Sequence, residues 1–327
     1  MVTPVSPVAT PTLYRLGMPL VLGPWNGGLK SPTTFPEFMS QDSAWMYPLR
    51  NFGKLFDLFN RALSAASIIL TATDSTDRSI PSRYRPKCVR MLENGVDLSL
   101  FQAEVWPEPP TSTNPLRILF VGRLIPMKGV PMLIEAMSQI TNSLPVELTI
   151  IGDGPERELL ERQAAESGVS SRVRFVGAQS LTQVSSAMRQ AHVFCLPSVR
   201  ESGGAVLLEA MAAARPVIAV KYGGPAEVVN DEVGYAIEPV GREYVVKELV
   251  RTLRDVAARP DIWKKKGIAG RVRAEREFDW DAKVETALNL YRKVLGTNGS
   301  ATSHDSGPAD ADVAGAEAIR EALITHS

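Results

Sequence analysis

The sequence predicts an α/β fold built on a doubly wound parallel sheet. Two observations predict it: short apolar runs alternate with helical patterns from residue 112 to about 258, and each run breaks at a glycine, proline or polar loop. A third is that the runs are apolar on both faces, as strands buried on both sides must be. Six strands are expected, at Arg117–Val121, Val146–Ile151, Arg172–Val176, His192–Leu196, Pro216–Val220 and Gly234–Ile237. Helices are expected between them at about 130–141, 155–167, 181–190, 204–214 and 224–230. Val130, Leu133, Ile134, Met137 and Ile140 keep the helical spacing of the first. Further helices follow 258, the last over Trp280–Leu295. The first 110 residues offer only three strand candidates, Pro19–Leu22, Ser67–Thr71 and Val89–Leu92.

The most informative stretch is Glu201-Ser-Gly-Gly-Ala-Val-Leu-Leu-Glu209. Glu201 stands where a strand ends, Gly203 and Gly204 open a helix, and Glu209 follows within it. A helix start offers unpaired N–H groups and partial positive charge, which suits a phosphate. Helical side chains lean toward the N-terminus, so Glu209 can reach a ligand seated there. A carboxylate accepts two parallel hydrogen bonds and so matches a vicinal diol. Together these features read as a site for sugar, phosphate and ribose; the bland alternative is a helix that merely carries two acids. A second loop strengthens the first reading. The run Arg117-Ile-Leu-Phe-Val-Gly-Arg-Leu-Ile-Pro-Met-Lys-Gly129 breaks at Gly122 and places Arg123 and Lys128 between strand and helix. Such loops gather at the carboxyl edge of a parallel sheet, where Arg forks two bonds to a phosphate and Lys adds a point charge.

Residues 85–295 resemble the donor half of glycosyltransferase family 4, whose members have the GT-B fold of two Rossmann-like domains. The resemblance is carried by Val121-Gly-Arg-Leu, Lys128-Gly, Ile150-Ile-Gly-Asp-Gly-Pro155, Val173-Arg-Phe-Val-Gly177, Leu196-Pro-Ser, the Glu201/Glu209 pair and Gly223-Gly-Pro-Ala-Glu227, in this order and spacing. It implies a retaining transferase that takes its sugar from a nucleotide-diphosphate sugar, with no obligatory cofactor or metal. It implies that Arg123 and Lys128 hold the diphosphate, Glu201 lies against the donor sugar and Glu209 binds the ribose. The catalytic set is then Glu201, Arg123 and Lys128, and the donor-binding set is Gly122, Gly154, Ser202, Gly203, Gly204 and Glu209. The implied acceptor is a saccharide or lipid-linked saccharide in polysaccharide or glycolipid assembly, and the implied location is cytoplasmic, including the inner face of the membrane. An inactive nucleotide-sugar-binding remnant is the alternative. A dehydrogenase is a remote one: Gly152-Asp-Gly154 follows a strand, but Arg157 replaces the third glycine of the dinucleotide fingerprint and no acid ends the next strand.

The resemblance also divides the chain. Residues 1–111 are expected to be a partial acceptor domain, 112–277 a complete donor domain, 278–296 a helix packing back on the first domain, and 297–327 a disordered tail. The Thr111-Ser-Thr-Asn-Pro115 segment reads as the linker. Pro19-Leu-Val-Leu-Gly-Pro-Trp-Asn-Gly-Gly28 resembles a loop from midway through an acceptor domain, and Glu93-Asn-Gly-Val-Asp97 resembles the family's connection into the donor domain. The glycine-rich first loop and several βα units have no counterpart, so the expectation is a chain truncated at its N-terminus. No histidine falls in the acceptor half, and His192 reads as structural.

Composition fits these readings. The chain has 327 residues, 44% of them hydrophobic, enough for one or two sizeable cores. Lys+Arg 36 balances Asp+Glu 36, so no net field draws nucleic acid or anionic lipid. Cys88 and Cys195 read as buried thiols, and with His192, His304 and His326 they make no plausible zinc site. No run approaches the roughly 20 apolar residues of a membrane span. Phe52, Leu55, Phe56, Phe59 and Leu63 form an apolar helical stripe that suits either peripheral membrane contact or packing on the chain's own sheet.

Overall fold

The computed structural model describes residues 17–27, 29, 33–36, 57–141 and 143–296. Two parallel sheets organise them. The smaller has three strands, β1 (Leu20–Trp25), β2 (Ala66–Thr71) and β3 (Cys88–Arg90), in the order β1-β2-β3. Helix α1 (Asp57–Ala65) leads into β2, and α2 (Asp74–Ser79) follows it. Leu22, Trp25, Leu63, Ile69 and Ile80 fill this sheet's own core. Leu63 of the apolar stripe is thus turned inward; Phe52, Leu55, Phe56, the Phe59 side chain and the 297–327 tail lie outside the described residues.

The larger sheet has six strands: β4 (Leu116–Val121), β5 (Val146–Ile151), β6 (Val173–Gly177), β7 (Val193–Leu196), β8 (Val217–Val220) and β9 (Gly234–Ile237). Every pairing is parallel, in the order β6-β5-β4-β7-β8-β9. The intervening helices are α3 (Val130–Ile140), α4 (Arg157–Glu166), α5 (Leu181–Gln190), α6 (Ala205–Ala212) and α7 (Gly224–Val228). All six expected strands are present, with ends displaced by no more than one residue. Central strands β7 and β8 are buried along their whole length, which is why they read as unbroken apolar runs. Strand order reverses between β4 and β7, and this switch point opens a crevice at their carboxyl ends.

Three features differ from the sequence reading. Arg242–Ala258 is a 17-residue helix, α8, where the sequence reading assigns no element; Val245, Val246, Leu249, Leu253 and Val256 bury one face of it. Cys195 is buried, but Cys88 is only half-buried because β3 lies at a sheet edge. The larger core also begins well before residue 112. Leu92, Val96, Phe101 and Trp106 belong to it, so the connecting segment is packed rather than free. Arg215, fully buried, holds that segment by donating to the carbonyls of Glu104 (2.7 Å) and Val105 (3.2 Å). The Trp106 indole N–H donates to His192 O at 2.8 Å, and the His192 ring accepts the Arg117 N–H at 2.8 Å. His192 is therefore enclosed by structure on both sides.

After α8 come α9 (Pro260–Arg273), a π-helical turn over Ala274–Phe278 and α10 (Trp280–Val294). The start of α10 meets the first region directly. Lys283 Nζ donates to Leu92 O, and the Trp280 ring occupies the space a Cβ on Gly95 would need. Asp74 N–H, at the start of α2, donates to Glu227 Oε1 of α7 at 2.7 Å, a further tie between the sheets.

Candidate active site

Strand β4 delivers Gly122 and Arg123 to the crevice at its carboxyl end. A short 3₁₀ turn, Pro126–Lys128, then carries Lys128 back over it. The turn closes on Gly129 in the left-handed conformation (φ 66°), where any side chain would collide with the Pro197 carbonyl oxygen. From β7 the chain enters the turn Glu201–Gly204. This turn is fixed against β8 by a parallel bridge between Glu201 and Gly223, in which Gly224 N–H donates to Glu201 O at 2.9 Å. Gly204, also left-handed (φ 64°), starts α6, and no side chain caps that helix, leaving its first amides directed at the crevice.

These loops enclose a cleft of about 560 Å³. Gly122, Arg123, Lys128, Glu201, Gly204 and Glu209 all line it. Lys128 Nζ and Glu201 Oε2 form a mostly buried ion pair, with side chains 20% and 13% exposed, while Arg123 stands in the open. Glu209, one and a half turns into α6, is half-buried, and loss of water pushes its carboxyl up to about 7. Arg157 reaches the same rim, pairing with Asp153 at 3.5 Å and Glu161 at 2.9 Å.

The other three sequence-selected positions do not line the cleft. A Cβ on Gly154 would collide with the Leu124 carbonyl, so this glycine lets the β5 loop pack under the β4 loop. Ser202 is exposed. Gly203 is buried against Glu93 and Asn94 of the first region. The sequence reading also leaves out one wall, formed by Ala178, Gln179, Leu181, Val184 and Val206. Its signal was available, because the loop after β6 joins the same sheet edge as the β4 and β7 loops. The dinucleotide reading fails on position: Gly152-Asp-Gly154 follows β5, whereas the loop at the switch point follows β4. Among the described residues, no three His, Cys, Asp or Glu side chains are grouped to hold a metal ion, and no helix is long and apolar enough to cross a membrane.

A doubly wound domain with a charged cleft at its switch point, joined to a second parallel sheet, defines an α/β protein of the two-domain kind. Residues 103–268 match the family described as Glycosyl transferases group 1. The chain belongs to that family. Glycogen synthase of Mycobacterium tuberculosis is 31% identical over 229 residues, covering 68% of this chain and 53% of that protein. D-inositol 3-phosphate glycosyltransferase of Segniliparus rotundus is 31% identical over 224 residues, covering 64% of this chain and 48% of that protein. The chain spans about half the length of these curated relatives. Among solved structures, Anabaena HepE in complex with UDP superposes with a TM-score of 0.63 at 20% identity, covering 85% of this chain and 74% of that one. The fold is thus of the GT-B class.

Proposed function

We propose that this protein is a retaining glycosyltransferase of family 4 that takes a sugar from a nucleoside-diphosphate sugar and passes it to a saccharide or lipid-linked saccharide. The observation that carries the reading is the convergence of Arg123, Lys128, Glu201 and Glu209 on one cleft at the switch point. Cations on one loop and a helix start on the next can share a diphosphate, while Glu209 lies far enough along α6 to accept both hydroxyls of a ribose. The wall of Leu181, Val184 and Val206 offers the apolar surface a nucleobase needs. HepE, similar in fold, is solved with UDP. Relatives of the same family include a phosphatidyl-myo-inositol mannosyltransferase of Mycobacterium leprae, 32% identical over 187 residues.

The chemistry follows from the charges. As the bond from anomeric carbon to phosphate loosens, negative charge grows on the leaving diphosphate. Arg123, Lys128 and the α6 amides stabilise it where it develops. The leaving phosphate oxygen takes the acceptor proton on the same face, so configuration is retained without a protein nucleophile. Glu201, held by Lys128, orients sugar hydroxyls. The roles of Gly154, Ser202 and Gly203 are then to shape the loops around the donor.

Calorimetry with a panel of nucleoside diphosphates, set beside inorganic diphosphate, tests this. Glu209→Ala is expected to weaken the nucleotides and leave inorganic diphosphate nearly unchanged. Absence of nucleotide binding at millimolar concentration, or a silent Glu209→Ala, defeats the assignment. Nucleotide binding without any nucleotide release from UDP- or GDP-sugars plus acceptor fractions would favour a binding remnant.

A further inference from the structure

The carboxyl edges of the two sheets face one another, and at that junction lies a polar pair outside the donor cleft. Asn26 follows β1, and Glu93 follows β3. Asn26 is 6% exposed, and its amide N–H donates to Glu93 Oε1. The other oxygen of each side chain, Asn26 Oδ1 and Glu93 Oε2, is buried with no hydrogen-bond partner among the described residues. Buried polar atoms in native proteins are nearly always satisfied, and leaving one bare costs about 1–3 kcal/mol. Here two side chains bonded to each other each leave one acceptor bare.

The surroundings hold the pair in place rather than quench it. Gly27, next to Asn26, is pinned on both backbone groups: its N–H donates to Thr76 Oγ1 at 3.1 Å and its carbonyl accepts from the same hydroxyl at 2.8 Å. Lys283 Nζ donates to the Leu92 carbonyl and meets the Glu93 carboxylate through space. Across the junction stands the donor turn itself. A Cβ on Gly203 would lie 2.5 Å from Glu93 Oε1 and would overlap the Asn94 amide, so only glycine lets the turn approach this closely. Gly203 sits between Glu201 and the start of α6, the two elements assigned to the donor sugar and its phosphates.

We infer that Asn26 and Glu93 form a hydroxyl-positioning pair that takes a saccharide acceptor beside the donor sugar. A carbonyl oxygen and a carboxylate oxygen, both lacking donors, select a group that brings hydrogens, and adjacent sugar hydroxyls bring two. The Glu201–Gly204 turn closes the pair off from water, so the acceptor enters when the sheets part and is clasped when they meet. Asn26 and Glu93 are positioning residues; the transferred proton still leaves on the phosphate. The inference rests on the transferase reading above, and its test separates the two.

The probes are the methyl α-glycosides of glucose, mannose and galactose, with nuclear magnetic resonance saturation transfer recorded on the full chain saturated with nucleoside diphosphate. At least one glycoside is expected to receive saturation from the wild type. Glu93→Gln and Asn26→Asp are each expected to weaken that glycoside about tenfold or more, the effect of losing a charge-assisted hydrogen bond or of adding a facing like charge. Nucleoside diphosphate affinity should change less than about twofold in both, which also certifies that the variants fold. Wild-type saturation transfer in either variant would overturn the inference, as would its absence with all three glycosides from a wild type that binds nucleotide. A wild type that binds no nucleotide would instead sink the transferase reading.

Discussion

Glu209 gives the sharpest quantitative prediction, because burial leaves its carboxyl titrating at about 7, inside the working range of the assay. Protonated, the group is a weaker acceptor and gives up one oxygen to an O–H, so it cannot accept from both ribose hydroxyls at once; ionised, it accepts from both. If only the ionised form binds the ribose, affinity follows the ionised fraction, which rises about tenfold from pH 6 to pH 8 for a group at about 7. Binding should then release close to one proton at pH 6. A nucleoside-diphosphate sugar is the ligand of choice, because its phosphates have no proton to lose in this range and cannot imitate the effect. Calorimetry in two buffers of different ionisation enthalpy counts the proton directly. Glu209→Gln should flatten the profile and lower affinity at pH 8 by about 1.5–3 kcal/mol, the scale of a charged hydrogen bond. The apo protein should respond in the opposite sense. A carboxyl raised above its unfolded value contributes stability below about 4.5 and loses it as pH rises through about 7. Glu209→Gln should therefore stabilise the empty protein above pH 7, by up to about 3 kcal/mol. Equal wild-type affinity at pH 6 and 8, or an unchanged slope in Glu209→Gln, refutes the reasoning.

Arg123→Ala should cost about 1.5–3 kcal/mol of nucleoside diphosphate affinity by calorimetry without lowering the melting temperature, since the side chain stands in solvent. Arg215→Met should cost about 1–3 kcal/mol in urea unfolding, because it removes the buried donor that ties down the carbonyls of Glu104 and Val105 and frees the connecting segment. His192 is held down to about 4 by burial. A depressed histidine contributes stability that is present above about 6.5 and falls away as pH drops toward 4, so wild type should lose about 3 kcal/mol across that window. His192→Gln should lose less over the same window in denaturant melts.

The donor-side architecture was legible because its strands are buried on both faces, and such strands write themselves as continuous apolar runs ended by glycine or proline. Val193–Leu196 and Val217–Val220 are the plainest cases. The helix Arg242–Ala258 escaped because charged residues interrupt its apolar ones throughout, and its buried face shows only when read at a period of 3.6. At the site, Arg123, Lys128, Glu201 and Glu209 stood out because each lies in a strand-to-helix loop or in the helix that such a loop opens. Glycine roles did not separate so easily: Gly154 and Gly204 look alike in sequence, yet one packs loop on loop and the other opens a helix onto the cleft. Asn26 and Glu93 each fall in a stretch the sequence singles out, but nothing in it links the two. They lie 67 residues apart, and only the folded arrangement brings them within reach of each other and of Gly203.

That arrangement ties donor and acceptor sides through a single turn. Glu201 pairs with Lys128 on its donor side, and two residues later Gly203 abuts Glu93. The backbone of the same turn bridges to Gly223, which is itself in contact with Leu29, three residues past Asn26. Among the described residues the Lys128 charge is paired with Glu201. A diphosphate competes for that ammonium, and whatever share of it the phosphate takes, Glu201 must make up elsewhere. The donor sugar hydroxyls are the donors within reach. On the proposed transferase reading, the expected order is the diphosphate first and the acceptor hydroxyl second. Reversing that order would seat an acceptor against a turn still anchored to Lys128, with no anomeric carbon for it to attack.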